Sequence, residues 1–200
     1  IDRVKVLCEP VSKNTGFALV HAMRDLYGKG LINADEPILF CPSDHHFEQP
    51  SDLLEAIDAI ASDFDPKSFH LIGIYPNRAE TAYGYIKLGE SVNSRLYSVE
   101  SFHEKPQKQE AQGYFQGGEH LWNSGLCCFS YQALHWELEN MSSPFLKYLI
   151  EGGSTEGLPS LSFDHLVLEK TSCARVLPLR TNWQDMGSFD RLYDHLDKDS

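Results

Sequence analysis

Four short polar segments carry the side chains that could do chemistry in this 200-residue chain. They are Pro42–His45, Phe102–Pro106, Trp122–Gly125 and Trp183–Ser188. Each places a carboxylate, an ammonium or an amide beside Gly, Pro or Ser, close to an apolar run typical of a strand. Because loops at the carboxyl ends of strands converge on one crevice in an open α/β sheet, we expect the four segments to form one polar site.

Two aspartates in these segments, Asp44 and Asp185, are predicted to lie at neighbouring strand ends and to share one divalent cation. A hard cation takes oxygen ligands, and the phosphates of a nucleotide can complete its coordination shell. The pair therefore favours chemistry on sugar phosphates or nucleotide phosphates.

Strand-like and helix-like segments alternate along the first part of the chain. Apolar runs predict strands at 4–7, 37–41 and 69–75, and helical spacing of apolar residues predicts helices over 18–26 and 53–64. This alternation predicts an α/β fold with a mostly parallel, nucleotide-binding sheet that has helices on both faces.

The alternation of strand-like and helix-like segments ends after Tyr75. Two further runs, 83–88 and 95–102, surround a turn-rich stretch and predict a small β insertion. Later apolar runs at 126–129 and 175–179 predict two more strands. The length of the chain favours a single domain over residues 1–200.

Composition excludes some classes of function. A net charge of −12 argues against a nucleic-acid partner, which would need basic patches. No apolar run approaches the roughly 20 residues that span a bilayer, so no membrane segment is expected. The five cysteines are odd in number and lack CxxC spacing. They are interpreted as mostly buried reduced thiols, which favours the cytoplasm.

A second metal interpretation involves Cys41, His45 and His46. Their closeness in sequence could suit zinc, but no second Cys or His pair stands at finger spacing. Asp44-His45-His46 also suggests a phosphoesterase, although the further Asp and His motifs of such a centre are missing from the sequence.

The polar segments occur in an order that resembles a known family. Together with Glu9-Pro10, Asn14-Thr15, Glu80–Ile86 and Glu169-Lys170, they are similar to the bacterial mannose-1-phosphate guanylyltransferases of the sugar nucleotidyltransferase superfamily. The similarity runs from Glu9 to Phe189. It implies transfer of GMP from GTP to mannose 1-phosphate, which gives GDP-mannose and pyrophosphate with Mg²⁺ as cofactor.

The resemblance also implies roles for individual residues. Asp44 and Asp185 would hold Mg²⁺, and together with Lys105 they would form the catalytic group. Positive charge is required because a sugar phosphate must approach the α-phosphate of a nucleotide, and two anions repel. The implied substrate-binding residues are Asn14, Thr15, Tyr83, Gly84, Glu104, Asn123, Asp164 and Lys170.

The sequence departs from the family pattern at its front. The glycine-rich loop that cradles the triphosphate has no counterpart, and we expect a strand that would lie between those at 4–7 and 37–41 to be missing. The 200-residue chain by itself is therefore expected to have weak activity or none, and to bind mannosyl ligands better than free GTP. A non-catalytic sugar-nucleotide-binding or regulatory protein remains the alternative, and homo-oligomers are compatible with either reading.

Overall fold

The computed structural model describes residues 4–187. Ser188 and Phe189, which belong to the last motif and its flank, lie outside the described residues. The helices are α1 (Asn14–Gly28), α2 (Pro50–Ser62), α3 (Lys108–Gly117), α4 (Tyr131–Asn140) and α5 (Pro144–Glu151), with one turn of π-helix at Asp164–Leu168. The strands are β1 (Ile38–Phe40), β2 (His45–Phe47), β3 (Phe69–Ile74), β4 (Tyr85–Ser91), β5 (Tyr97–His103), β6 (His120–Phe129), β7 (Ala174–Leu179) and β8 (Trp183–Asp185).

Contacts within the chain divide it into two compact units. Among the described residues, the first unit comprises 4–38, 65–69 and 129–174, and the second comprises 39–64, 70–128 and 175–187. The expectation of a single domain over residues 1–200 stays a prediction.

The first unit is helical. Helices α1, α4 and α5 pack against one another, and α1 also contacts the π-helical turn. Its core includes Phe129, whose ring lies 5.5 Å from that of Phe69 and 5.2 Å from that of Phe163. Thr15 helps to hold this unit together, because its Oγ1 accepts a 2.9 Å hydrogen bond from Phe163 N.

The second unit contains nearly all of a six-stranded sheet with the order β1-β6-β3-β7-β5-β4. The first residues of β6 also pair with β4, because Trp122 lies opposite both Ile74 and Tyr85. Helix α2 covers apolar side chains of this sheet through Ala56, Ala59 and Ile60, which belong to the same buried cluster.

The core of the second unit is closely packed around Gly73 of β3. A methyl group on Gly73 would lie 2.6 Å from Leu121 Cδ1 and 2.8 Å from Val176 Cγ2. Such distances are shorter than van der Waals contact, so only glycine fits between these two neighbours.

The predicted α/β class is confirmed, and so is the hairpin, since β4 and β5 pair antiparallel. The expectation of a mostly parallel sheet is wrong for four of its strand pairs: the β3–β6, β4–β5, β4–β6 and β5–β7 pairs are antiparallel. Apolar runs predict that a segment is a strand, but they do not encode its direction, which depends on the route of the chain.

The expected strand at residues 4–7 is absent, and the cysteines are not mostly buried. Residues 4–7 form no strand, and Val4 and Val6 are largely exposed. A strand needs a hydrogen-bonding neighbour, and none pairs with this segment within residues 4–187. Cys8 and Cys41 are exposed, whereas Cys127 and Cys128 are buried. Burial raises the pKa of the Cys128 thiol to about 11.

No helix within the described residues is long and apolar enough to cross a membrane.

Candidate active site

Asp44 and Asp185 lie side by side in the second unit, although they are far apart in sequence. Strands β2 and β8 pair antiparallel, with His45 opposite Asp185, and Met186 N donates a 2.7 Å hydrogen bond to Asp44 O. This small two-stranded sheet therefore brings the two aspartates together, as the sequence predicted. We call Asp44 and Asp185 the carboxylate pair.

Gly187 measures how closely the two carboxylates converge. A methyl group on this residue would lie 2.8 Å from Asp185 Oδ1 and 2.9 Å from Asp44 Oδ2. Gly187 N also donates a 2.6 Å hydrogen bond to Asp185 Oδ1. One oxygen from each aspartate thus borders the same small space, which is the donor chemistry that a hard divalent cation prefers.

Among residues 4–187, no group of three or more His, Cys, Asp or Glu side chains is arranged to hold a metal ion. The carboxylate pair supplies two side chains only. This fits Mg²⁺, which usually keeps several waters and takes one or two protein carboxylates together with substrate phosphates.

His45 adjoins the carboxylate pair. Its Nε2 lies 4.0 Å from Asp44 Oδ1, and its ring stands edge-on to Trp183 at 5.3 Å between centroids. Burial lowers the pKa of His45, and the negative charges of Asp44 and Asp185 oppose that shift. Near neutral pH the ring is therefore predominantly uncharged.

A second group of candidate residues gathers beside the start of β6. A methyl group on Gly84 would lie 2.8 Å from Glu104 Oε2 and 3.3 Å from Asn123 Cβ. Asn123 N donates a 2.8 Å hydrogen bond to Gly84 O, and Lys105 Nζ lies 3.2 Å from Glu104 Oε1. We call Gly84, Glu104, Lys105 and Asn123 the sugar-side group, from their predicted role.

Exposure differs sharply between the two charged members of this group. The Glu104 side chain is 10% exposed, whereas that of Lys105 is 65% exposed. Lys105 also has a left-handed backbone, with φ of 46°, which is uncommon for a residue with a side chain. Such a conformation at a turn can mark a functional position, and here it follows the carboxylate of Glu104 directly.

The Trp122–Gly125 segment of β6 contributes to the sugar-side group and lies close to the segment that carries Asp44. Asn123 belongs to the sugar-side group, while a methyl on Gly125 would lie 3.4 Å from His45 Cε1 and 3.4 Å from Pro42 Cγ. Asn123 Oδ1 accepts a 3.1 Å hydrogen bond from Gly125 N, which fixes this turn of the chain. Three of the sequence motifs thus meet at one strand.

The remaining predicted site residues belong neither to the carboxylate pair nor to the sugar-side group. Tyr83 is buried beside the sugar-side group in the second unit. Asn14, Thr15, Asp164 and Lys170 belong to the first unit. Asn14 Oδ1 accepts a 2.8 Å hydrogen bond from Thr15 N, and Thr15 Oγ1 is held by Phe163 N, so both side chains have local structural partners.

Gly187 and Glu80 lie in two of the sequence motifs, but sequence reasoning assigned neither residue an individual role. Glu80 Oε1 accepts hydrogen bonds from Thr81 N at 2.9 Å and Ala82 N at 3.1 Å, which shapes the loop that leads to Tyr83. Burial by itself would raise the pKa of Glu80. The two backbone hydrogen bonds and the nearby Arg78 lower it by more, so the net pKa is below the ordinary glutamate value. A Glu followed by small residues before a Tyr-Gly pair was the available signal.

Comparison with known proteins shows the family of the chain. The family model described as nucleotidyl transferase matches residues 3–200. The chain belongs to the nucleotidyl transferase family. The resemblance that was inferred from the motifs and the α/β fold class are confirmed.

Two curated members of the nucleotidyl transferase family show the extent of the similarity. The mannose-1-phosphate guanylyltransferase RfbM of Salmonella typhimurium is 31% identical, over 100% of this chain and 45% of its own length. The xanthan biosynthesis protein XanB of Xanthomonas campestris is 33% identical, over 97% of this chain and 44% of its own length. The chain spans less than half the length of these relatives.

Two solved structures are similar to this chain in fold. A Thermus thermophilus protein described as a mannose-1-phosphate geranyltransferase superposes with a TM-score of 0.85 at 28% identity, over 98% of this chain and 59% of that one. A UDP-glucose pyrophosphorylase complexed with UDP-glucose gives 0.56 at 14% identity, over 92% and 61%, which supports the fold alone.

Proposed function

We propose that the protein containing this sequence catalyses the transfer of GMP from GTP to mannose 1-phosphate, with GDP-mannose and pyrophosphate as products. The observation that carries the proposal is that Trp122–Gly125 contributes Asn123 to the sugar-side group and, at Gly125, lies close to Pro42 and His45, in the segment that contains Asp44. One group has the chemistry to hold a cation near phosphates, and the other has the chemistry to hold a sugar phosphate. The cytoplasm, where nucleotides are abundant, is the proposed location.

The sugar-side group has complementary members for a phosphorylated sugar. The Lys105 ammonium is exposed and would attract the phosphate, while the Glu104 carboxylate would accept hydrogen bonds from sugar hydroxyls. Gly84 leaves room for this approach because it has no Cβ between its backbone and Glu104 Oε2. The Asn123 amide offers both a donor and an acceptor.

The carboxylate pair would hold Mg²⁺. When bound, this ion would screen the negative phosphates and stabilise charge that develops in the transition state. The chain's own contribution is to keep both carboxylates converged, through the β2–β8 pairing and the Gly187 N–H bond to Asp185. Gly187 preserves the space that the ion would need.

The four candidate residues of the first unit are proposed to meet an anionic ligand. Lys170 is exposed and could meet an anionic ligand, and Asp164 is half-buried. Asn14 and Thr15 lie where α1 begins, and backbone N–H groups at a helix N-terminus favour anions. Their side-chain oxygens already accept backbone hydrogen bonds, so a nucleotide would meet mainly the backbone here.

Calorimetric titration of the 200-residue chain tests the ligand part of this proposal. Mannose 1-phosphate and GDP-mannose, each with Mg²⁺, should bind more tightly than GTP. Glu104→Gln should weaken the binding of both mannosyl ligands by about tenfold or more, because a charged hydrogen bond to a hydroxyl contributes about 1.5–3 kcal/mol. Glu90→Gln is the matched control, since Glu90 is an exposed glutamate of β4 outside the group.

The transfer reaction is best measured on the natural protein that contains this sequence, with GTP, mannose 1-phosphate and Mg²⁺ as reactants. Stoichiometric GDP-mannose and pyrophosphate are expected, and Lys105→Gln should reduce their rate. Tight GTP binding without any response to either mannosyl ligand would refute the proposed substrate class. Mannosyl binding without product formation would indicate the non-catalytic alternative.

A further inference from the structure

A continuous row of four aromatic rings lies among the candidate site residues of the second unit. His45 packs edge-on to Trp183 with 5.3 Å between centroids, Trp183 contacts Tyr83 at 4.9 Å, and Tyr83 packs edge-on to Trp122 at 5.2 Å. Tyr83, Trp122 and Trp183 are 4%, 2% and 6% exposed, so the row is almost entirely buried. We call these four residues the aromatic row.

Each ring of the row is close in sequence to a candidate site residue. His45 follows Asp44, and Trp183 stands two residues before Asp185 in β8. At the other end, Tyr83 precedes Gly84 and Trp122 precedes Asn123. The aromatic row therefore joins the backbone at the carboxylate pair to the backbone at the sugar-side group.

The row is held together by packing between rings. The indole N–H groups of Trp122 and Trp183 are buried, and neither has a hydrogen-bond partner within residues 4–187. Ring pairs at these separations attract one another beyond their buried area, and their rigid faces leave little freedom for relative movement. Close-packed interiors transmit displacements, so a change in one ring shifts its neighbours.

We propose that Tyr83 and Trp183 are positioning residues that set the spacing between the carboxylate pair and the sugar-side group. The inference rests on the proposed function, because it assumes that both groups act on one bound substrate. Productive geometry in such a site tolerates displacements of only about 0.5 Å. In this role Tyr83, which the resemblance implies as a substrate-binding residue, acts by holding its neighbours Gly84 and Trp183 in place.

Substitution of Trp183 tests this inference by calorimetry on the 200-residue chain. Trp183→Leu removes the ring that connects His45 to Tyr83, and we expect the dissociation constants for Mg²⁺ and for GDP-mannose both to rise about tenfold. Trp183→Phe keeps a ring and lacks the N–H, so it should bind both probes within about threefold of wild type. Trp183→Met, a flexible side chain that adapts to core gaps, should fold even where Leu does not and should show the same loss as Leu.

A stability control separates positioning from general loosening of the core. Ile60 of α2 is buried in the same apolar cluster but does not belong to the aromatic row. Ile60→Ala should lower the melting temperature at least as much as Trp183→Leu and leave both dissociation constants unchanged. A merely structural role for Trp183 would instead make binding follow stability in all these variants.

Tryptophan fluorescence gives an independent measurement that leaves the row intact. The chain has three tryptophans, and Trp136, which is 55% exposed, is the one outside the row. In Trp136→Phe, emission comes from Trp122 and Trp183 alone, and both Mg²⁺ and GDP-mannose should change it.

The outcomes distinguish the two proposals. No binding of GDP-mannose by the wild-type chain would refute the proposed function and the inference with it. Wild-type affinity for both probes in Trp183→Leu and Trp183→Met would overturn the inference alone. Loss of binding in Trp183→Phe would also overturn it, because the indole N–H rather than ring packing would then be the contributing feature.

Discussion

Substitution of Gly187 by alanine provides the sharpest test of the carboxylate pair. The added methyl would lie 2.8 Å from Asp185 Oδ1 and 2.9 Å from Asp44 Oδ2, closer than carbon and oxygen normally approach. Both oxygens must therefore move by about half an ångström to restore van der Waals contact. Gly187 does not have a left-handed φ, so alanine adds no backbone strain.

Gly187→Ala should weaken the binding of Mg²⁺ and change the free energy of unfolding only slightly. Both displaced atoms are the ends of side chains, and Gly187 itself is exposed. Alanine at a compatible position also stabilises a protein by about 0.4–1 kcal/mol through the unfolded chain, so the net change in unfolding free energy should stay within about 1 kcal/mol. Mg²⁺ requires near-ideal geometry, and misplaced ligands should weaken its binding about 10- to 100-fold, which corresponds to about 1.4–2.8 kcal/mol.

The assay combines calorimetric titration with Mg²⁺ and urea unfolding of the same samples. Gly113→Ala is the matched control, because Gly113 lies in α3 and a methyl there would meet no atom within 4 Å. That control should gain up to about 1 kcal/mol of stability and keep wild-type metal affinity. Wild-type Mg²⁺ affinity in Gly187→Ala would show that the ion does not bind between Asp44 and Asp185.

Substitutions at three further positions test contacts within the two units. Gly73→Ala should reduce the free energy of unfolding in urea by about 1–3 kcal/mol, since its methyl would overpack the core; an unchanged midpoint would contradict the packing. Thr15→Val should cost about 1–3 kcal/mol by removing the acceptor for Phe163 N, while Thr15→Ser should restore most of it. Glu80 has a lowered pKa when folded, so its stabilising effect is present at neutral pH and lost as pH falls through the folded pKa. The stability difference between wild type and Glu80→Gln should therefore shrink from pH 7 to roughly pH 3, below the ordinary glutamate pKa, and a constant difference would disprove this role.

The carboxylate pair shows how far sequence reasoning could go with a site. Asp44 and Asp185 were expected to meet because each lies in a polar segment beside an apolar run, and the structure places them together. Their meeting depends on β2 and β8, strands of three residues each, which no periodicity could reveal. The pairing is stable because the rest of the second unit holds both segments in place.

Other elements were beyond the reach of a single sequence. Helix α3 has low apolar content, with Ala111 as its buried residue, so its amphipathic signal is weak. The apolar residues at 4–7 look like a strand, yet a strand exists only where another strand supplies hydrogen bonds. The directions of the strands in the six-stranded sheet could not be predicted either, because an apolar run does not encode direction.

The sequence by itself determined the α/β class, the hairpin, several strands of the main sheet and the residue types of the site. These features depend on local spacing: apolar periodicity, turn residues and motifs of a few residues. Only the tertiary structure decided that Gly187 lies between two carboxylates, that Gly125 lies close to Pro42 and His45, and that four rings form one row. Such relations join residues that are distant in the chain, and the packing of the folded core brings them into contact.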